Sequence, residues 1–290
     1  MPWLINAAQL DKFRKNQKNL IILDASLYPA PRDAKEEFLE KHIMDAQFFS
    51  ITDFNDKASL FPNMLTQDEK QINDTLSQLG IRNDYKIILY DNNEHHSACR
   101  ALWMFKVFGH NPNQLYILDG GFKAWEKYGG KTESGAPSFS AKPYTAKLQL
   151  NYLRTLENIK INLQIPKEQI VDLRHAVRFA GGPDPRIGVR KGHIPNSFCL
   201  PYNIFFDKEN LFLPLDKIRR KIVDTGVDLT IPITTLCGSG ISAPILNFIL
   251  DLMSLPNNAL YDGSWSEYGA EQLFAGEQSL EERPIETCIS

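Results

Sequence analysis

The residues best suited to chemistry stand where an apolar run gives way to glycines. The sequence TTLCGSGISAPILNF, residues 234–248, places Cys237 directly before Gly238, Ser239 and Gly240. The β-rich run before the cysteine predicts a strand, and the spacing of apolar residues after it predicts a helix. A thiol at that junction would lie at the carboxyl end of a strand, where open α/β sheets bind their ligands. Cys237 is therefore the candidate nucleophile.

The loop after the cysteine is predicted to bind an anion. Gly238 and Gly240 permit turns in which successive backbone N–H groups, as far as Ile241 and Ser242, point toward the sulfur. Ser242 is the predicted N-cap of the following helix, so the helix N-terminus would face the same point. These partial positive charges favour a thiolate, which is the nucleophilic form of cysteine.

The chain carries its landmarks twice in the same order. ILDAS at 22–26 corresponds to IVDLR at 170–174, and LDGGFKAW at 118–125 corresponds to YDGSWSEY at 261–268. Between them, IILYD in the first copy corresponds to ITTLC in the second, so Asp91 stands where Cys237 stands. A repeat of this length indicates two homologous domains in tandem. Because a carboxylate cannot carry a persulfide, the first copy is predicted to be catalytically inactive.

Each copy alternates short apolar runs with segments of helical spacing. This pattern predicts an α/β fold in which a parallel sheet is flanked by helices in each of two tandem domains. We predict an N-terminal domain over 1–140 and a C-terminal domain over 150–290. The segment 131–147 is rich in Ser, Pro, Gly and Ala and is the predicted linker.

Composition narrows the set of partners. The 290 residues include 32 basic and 35 acidic side chains, and a net charge of −3 provides no basic field for nucleic acid. No apolar run is long enough to cross a bilayer, so we expect no membrane partner and no targeting segment. The four cysteines are too far apart in sequence for a dithiol or metal motif, which favours a reducing cytoplasm. We expect a monomer or weak dimer.

The remaining cysteines and one histidine pair have simpler interpretations. Cys99 lies in a helical apolar stripe and Cys199 in a strand-like segment, so both are predicted to be buried. Cys288 stands two residues from the end of the sequence, where a free thiol could pair between chains. His95 and His96 occupy the loop of the inactive copy, and we predict that both are exposed.

Taken together, these motifs resemble the two-domain rhodanese-type sulfurtransferases over nearly the whole chain. The resemblance rests on GHIP at 192–195, CGSG at 237–240 and DGSW at 262–265. Within that family, thiosulfate-using members carry basic residues directly after the cysteine. This chain has Gly and then Ser there, as in the members that use 3-mercaptopyruvate.

The resemblance implies a mechanism and further site residues. Arg178 and Arg186 match the two arginines that hold the carboxylate of 3-mercaptopyruvate, while Ser239 would polarise its ketone. Cys237 would accept the sulfur as a persulfide, release pyruvate, and pass the sulfur to a thioredoxin, a small thiol or cyanide. The family requires no metal or organic cofactor. Guanidinium groups suit this task because they donate paired hydrogen bonds to a planar carboxylate.

One departure from the family concerns the partner of the loop serine. The 3-mercaptopyruvate members have an acid and a histidine in the N-terminal domain that are proposed to form a relay with that serine. Here the sequence places Thr52 at the acid position and Asn63 at the histidine position. Asparagine can donate a hydrogen bond to Ser239 but cannot take its proton at neutral pH. The relay is therefore not expected in this chain.

Three other functions compete with this interpretation. A thiosulfate sulfurtransferase would perform the same chemistry with thiosulfate as donor, and a non-catalytic sulfur carrier or interaction module would need no turnover. A cysteine phosphatase with a C-x5-R loop would require an arginine at position 243, where this chain has Ala243. The phosphatase interpretation is accordingly the weakest.

Overall fold

A computed structural model of the chain describes residues Trp3–Cys288, which form two compact units. Unit 1 comprises residues 3–57, 65–149 and 206–212, and unit 2 comprises 58–64, 150–205 and 213–288. Each unit therefore contains a seven-residue segment from the other half of the sequence. No helix within residues 3–288 is long and apolar enough to span a membrane.

Unit 1 is built on a five-stranded sheet with a separate two-stranded pair. Its strands are β1 (Trp3–Ile5), β2 (Leu20–Asp24), β3 (His42–Ile43), β4 (Ala46–Phe48), β5 (Lys86–Tyr90), β6 (Leu115–Leu118) and β7 (Thr132–Glu133). Its α-helices are α1 (Ala7–Asn16), α2 (Ala34–Glu40), α3 (Glu69–Gln78), α4 (Ser97–Val107) and α5 (Gly121–Tyr128), and short 3-10 helices span Ile51–Phe54 and Pro112–Gln114.

Unit 2 is also built on a five-stranded sheet with helices. Its strands are β8 (Leu153–Arg154), β9 (Gln169–Asp172), β10 (Phe198–Cys199), β11 (Ile233–Leu236) and β12 (Asn258–Tyr261). Its α-helices are α6 (Leu156–Gln164), α7 (Ala176–Phe179), α8 (Leu215–Val223), α9 (Pro244–Leu252) and α10 (Ser264–Tyr268). Short 3-10 helices span Leu150–Tyr152, Tyr202–Phe205 and Leu280–Glu282.

The two five-stranded sheets have the same strand order. The first runs β1-β6-β5-β2-β4 and the second β8-β12-β11-β9-β10, and all neighbouring strands are parallel. The central registers also agree, since Asp24 pairs with Tyr90 in the first sheet and Asp172 with Leu236 in the second. The predicted duplicated α/β fold is confirmed.

The local sequence explains where the elements begin and what they bury. The first helix of each unit starts with a capping box, formed by Asn6 with Gln9 in α1 and by Thr155 with Asn158 in α6. The central strand β11 is buried along its whole length, and so is nearly all of α9 that follows it. A strand that is buried on both faces is expected where helices cover both sides of a parallel sheet.

The predicted linker is partly ordered into the fold. Its second and third residues form β7, which pairs antiparallel with β3 so that Glu133 stands opposite His42. From residue 134 to 149 the chain forms no helix or strand. The Ser- and Pro-rich composition correctly indicated the irregular part of this segment, but it did not predict the strand pairing that precedes it.

Candidate active site

The strand β11 ends at the cysteine and places it in the interior. Cys237 is 2% exposed, and its backbone is held by the start of α10. Its N–H donates to Ser264 Oγ at 3.2 Å, and its carbonyl accepts from the Trp265 N–H at 3.1 Å. Because both backbone groups are bonded, the thiol has a defined position at the carboxyl end of the sheet.

The two glycines of the loop are required for different reasons. Gly240 has a φ of 77°, a left-handed conformation that favours glycine. Gly238 lies in the same bend but has no positive φ, so the unusual torsion predicted for it is not found. Instead, a Cβ placed on Gly238 would lie 2.7 Å from Nη1 of Arg186. The guanidinium group of Arg186 thus fills the space directly beside the residue that follows the cysteine.

The helix after the loop begins later than predicted. Ala243, not Ser242, is the residue before α9, and no side chain caps the helix. The carbonyl of Ser242 accepts from the Ile245 N–H at 3.2 Å, so a tight turn replaces the side-chain cap. Within residues 3–288, the N–H groups of Gly238, Ser239, Ile241 and Ser242 donate no hydrogen bond to the protein. These four donors remain available to an anion.

Both predicted arginines converge on one buried carboxylate. Asp184 accepts from Arg186 Nε and Nη2, each at 2.9 Å, and from Arg178 Nε, also at 2.9 Å. The remaining end of Arg186 donates from Nη1 to Ser266 Oγ at 3.0 Å, and Ser266 Oγ donates to the Gly238 carbonyl at 2.8 Å. A continuous chain of hydrogen bonds therefore connects the arginine pair to the cysteine loop.

The loop serine has the asparagine as its neighbour. Asn63, from the segment 58–64 that belongs to unit 2, donates from Nδ2 to Ser239 Oγ at 3.2 Å. Asn63 has a φ of 63°, a left-handed conformation that asparagine tolerates better than most residues. Thr52 belongs to unit 1, where its hydroxyl lies 3.1 Å from that of Ser50.

Comparison with known proteins identifies the family. A model of the rhodanese-like domain matches the chain twice, over residues 6–128 and 155–271. The chain belongs to the rhodanese family. The two matches fall on the two copies that the repeated motifs indicate.

Curated relatives of this rhodanese cover most of its length. It is 36% identical over 252 residues to a thiosulfate sulfurtransferase of Gallus gallus, covering 86% of each chain. It is 35% identical over 254 residues to a 3-mercaptopyruvate sulfurtransferase of Homo sapiens, covering 86% of this chain and 84% of that one. The similar identities mean that overall similarity does not distinguish the two donors.

A solved structure extends the comparison to the fold. SseA from Escherichia coli, whose structure is described under 3-mercaptopyruvate sulfotransferases, matches this rhodanese with a TM-score of 0.82 and 29% sequence identity. The match covers 92% of this chain and all of the SseA chain. The sheets and helices of this chain therefore have counterparts in a solved structure.

Sequence reasoning missed three residues that hold this rhodanese site together. Asp184 joins the two arginines, Ser264 accepts the cysteine N–H, and Ser266 links Arg186 to the loop. A signal for the serines was present, because they flank Trp265 in the SWS motif directly after an Asp-Gly turn. The sequence signal for Asp184 was weaker: it is the single acid between the two arginines.

The first copy has a carboxylate in the place of the thiol. Asp91 is 6% exposed, and its side chain accepts from the Ala98 N–H at 2.8 Å at the start of α4. Burial raises the pKa of Asp91 to about 7, and burial raises the pKa of nearby Asp24 to about 6. In the first copy, an N–H group at the start of the following helix thus satisfies an acid.

The loop of the first copy is closed by residues from the second half of the sequence. His96 was predicted to be exposed, but it is 7% exposed and stacks on Phe206 with ring centroids 3.5 Å apart. Its Nε2 lies 3.1 Å from Asn210 Oδ1. Burial lowers the pKa of His96 to about 4, so the ring is neutral at physiological pH. The prediction failed because the residues that cover His96 are more than a hundred positions away in sequence.

The other cysteines differ in accessibility. Cys99 is 1% exposed, which confirms its predicted place in the core. Cys199 is only partly buried, so the prediction for it is wrong, and this partial burial still raises its pKa to about 11. Cys288 is exposed, and its backbone N–H donates to the Ala180 carbonyl at 3.0 Å. All four thiols are free.

Proposed function

We propose that this protein is a sulfurtransferase that takes sulfur from 3-mercaptopyruvate and transfers it through a persulfide on Cys237. The observation that carries the proposal is the position of the Arg186 guanidinium group beside Gly238, next to a buried thiol at a strand end. A cation at this point can bind the carboxylate of a donor whose sulfur approaches Cys237. The family membership supports the same chemistry.

In the first half-reaction, the Cys237 thiolate attacks the sulfur of 3-mercaptopyruvate. A sulfur–sulfur bond forms, the carbon–sulfur bond breaks, and its electron pair remains on the carbon beside the ketone. Arg178 and Arg186 bind the carboxylate, and the Ser239 hydroxyl donates to the ketone oxygen on which negative charge develops. Protonation of the enolate gives pyruvate.

In the second half-reaction, an acceptor thiolate or cyanide attacks the outer sulfur of the persulfide. The sulfur–sulfur bond breaks, and its electron pair returns to Cys237 as thiolate. The free N–H groups of Gly238, Ser239, Ile241 and Ser242 would stabilise the persulfide anion between the two steps. A thioredoxin or a small thiol would serve as well as cyanide. The scheme predicts ping-pong kinetics.

The arrangement at Ser239 supports a hydrogen-bond role for its hydroxyl. Asn63 donates to the serine oxygen, which leaves the hydroxyl proton free for the ketone. Asn63 cannot accept a proton at neutral pH, so this chain would operate without a serine relay. We propose further that the N-terminal copy, with Asp91 in place of the thiol, transfers no sulfur.

Thiosulfate is the alternative donor. Curated relatives that use it are as similar as those that use 3-mercaptopyruvate. Against it, position 238 holds glycine where a cationic side chain would favour thiosulfate, although Arg186 supplies one cation from another loop. A reducing compartment such as the cytoplasm would suit either reaction, because all four thiols are free.

Intact-mass analysis tests the proposal directly. Wild type and Cys237→Ser are incubated separately with 3-mercaptopyruvate and with thiosulfate. We expect wild type to gain one sulfur atom from 3-mercaptopyruvate and Cys237→Ser to gain none. A gain from thiosulfate alone would reassign the donor. A gain from neither donor would support the non-catalytic carrier, and an equal gain in the mutant would exclude Cys237 as the acceptor.

A further inference from the structure

Asp184 is the buried acid around which the arginines of the site are arranged. Its side chain is 4% exposed, and Oδ2 lies 2.8 Å from Arg178 Nη2 and 2.9 Å from Arg186 Nη2. Arg174 Nη1 approaches the same oxygen at 3.9 Å. Three guanidinium groups therefore surround one carboxylate, beside the loop that carries the thiol.

These contacts fix the orientation of Arg186 at both ends. Asp184 accepts from Nε and Nη2, while Ser266 Oγ accepts from Nη1. A guanidinium group held along two edges cannot rotate freely, and its planar set of donors keeps one direction. Each guanidinium group carries five N–H donors, so Arg178 and Arg186 both retain N–H groups that donate to no described residue.

Asp184 also sets the charge of the cluster. The second buried acid, Asp172, pairs with Arg174 at 2.6 Å, and neither side chain is more than 1% exposed. Three guanidinium groups and two carboxylates leave one net positive charge. Such a cluster matches a donor with one carboxylate better than a donor with two negative charges. Without the Asp184 charge the cluster would carry two positive charges, which would favour a dianion.

We propose that Asp184 is a positioning residue that sets donor preference toward a monoanionic thiol acid such as 3-mercaptopyruvate and against dianionic thiosulfate. The inference rests on the proposed function. Asp184 acts through Arg178 and Arg186, because its carboxylate is already occupied by both. It keeps their free N–H groups aimed at a carboxylate and limits the positive charge that a dianion would exploit.

The decisive measurement is the ratio of kcat/KM for the two donors, with cyanide as the common acceptor. In Asp184→Asn the charge is lost and the size is retained. We expect kcat/KM for 3-mercaptopyruvate to fall about tenfold, mainly through KM, as for the loss of a hydrogen bond to a charged group. The value for thiosulfate should stay unchanged or rise, so the ratio shifts toward thiosulfate by about tenfold or more.

Two further variants separate positioning from a general structural role. Asp184→Glu keeps the negative charge and the acceptor oxygens, and we expect its donor ratio to stay within about threefold of wild type. Asp251→Asn is the matched control, because Asp251 is also a buried acid of unit 2 and accepts from Asn258. It should leave the donor ratio unchanged even where its melting temperature falls.

The outcomes are distinct. Equal losses for both donors in Asp184→Asn, or the same shift in Asp251→Asn, would overturn the role of Asp184 in donor preference. If Asp184→Asn does not fold, Asp184→Glu decides the question, since a changed ratio there would contradict the charge argument. Wild type that accepts sulfur from neither donor would instead refute the proposed function itself.

Discussion

The carboxyl ends of the two sheets share a backbone design and differ in charge. In unit 1 the Asp24 carboxylate accepts from the Ser26 N–H at 2.9 Å, and in unit 2 the Asp172 carboxylate accepts from the Arg174 N–H at the same distance. The carbonyls of Asp91 and Cys237 are bonded in equivalent ways by the helices that follow β6 and β12.

The side chains on this common frame produce opposite environments. Unit 1 places two acids, Asp24 and Asp91, side by side, and burial raises the pKa of both. Unit 2 places Arg174 on its first acid and a thiol in the position of the second. The frame is thus compatible with either a proton-holding pair of acids or an anion site, and the charges of a few side chains decide between them.

The segments exchanged between the two halves of the sequence show a similar correspondence. Asn63 donates to Ser239 of the cysteine loop, and Asn210 contacts His96 of the inactive loop. Both asparagines are left-handed, with φ values of 63° and 65°, and each stands two residues before the residue that closes an antiparallel bridge, Leu65 or Phe212. The turn is therefore conserved between the copies while the contact it makes has changed.

The largest expected effect comes from making the second sheet resemble the first. Arg174→Ser would leave the Asp172 carboxylate buried without its cation, and we expect a loss of about 3–5 kcal/mol in the free energy of unfolding. Urea unfolding at pH 7 measures the loss. The double variant Asp172→Asn with Arg174→Ser should recover part of it. A loss below about 1 kcal/mol would show that solvent or another group satisfies the acid.

The next effect tests the acid pair of the first sheet. Because the folded pKa of Asp91 is raised to about 7 from an ordinary value of 3.8, the folded state holds this proton more tightly than the unfolded state. Its contribution to stability is complete below pH 3.8 and is lost as the pH rises to about 7. An asparagine at this position does not titrate, so Asp91→Asn removes this loss. The free energy of unfolding of the variant, minus that of wild type, should therefore be larger at pH 8 than at pH 4 by roughly 2–4 kcal/mol.

Urea unfolding of wild type and Asp91→Asn at the two pH values provides the measurement. The comparison across pH cancels the direct effect of the amide on packing. A stability difference that does not change with pH would mean that Asp91 is already ionised in the folded state. Cys99→Ser, a change in the buried core of the same unit, should show no such dependence on pH over this range.

The smallest effect concerns the two left-handed asparagines. Asn63→Gly removes the donor to Ser239 and keeps the backbone torsion, so kcat/KM for 3-mercaptopyruvate should fall about threefold to tenfold, the value of one neutral hydrogen bond. Asn210→Gly is the control, because it makes the same chemical change at the inactive loop. Equal activity losses in the two variants would point to a general effect of the turn and not to Ser239.

Much of the fold could be predicted from the sequence because its signals are local or repeated. The run ITTLC and the helix after it identified the strand end, and the matched motifs established the duplication. The thiol and the two arginines could be singled out by residue type together with the resemblance to the family. The start of α9 was misplaced because Ser242 has the chemistry of a cap, whereas the chain satisfies the first turn through its backbone.

The contacts that the sequence could not predict depend on distant parts of the chain. Asp184 stands only two residues before Arg186, but folding is needed to bring Arg178 to the same oxygen. The need for glycine at position 238 comes from an arginine 52 positions earlier. His96 is covered by Phe206, which the pattern around the histidine does not reveal.

The exchanged segments also have a consequence for truncated forms of the chain. A chain cut between the copies would leave residues 58–64, including Asn63, on the fragment that lacks the cysteine, and would remove 206–212 from the unit that His96 belongs to. Each half of the sequence thus supplies one segment to the compact unit formed mainly by the other half. Truncation to either half of the sequence would therefore leave its compact unit without a seven-residue segment.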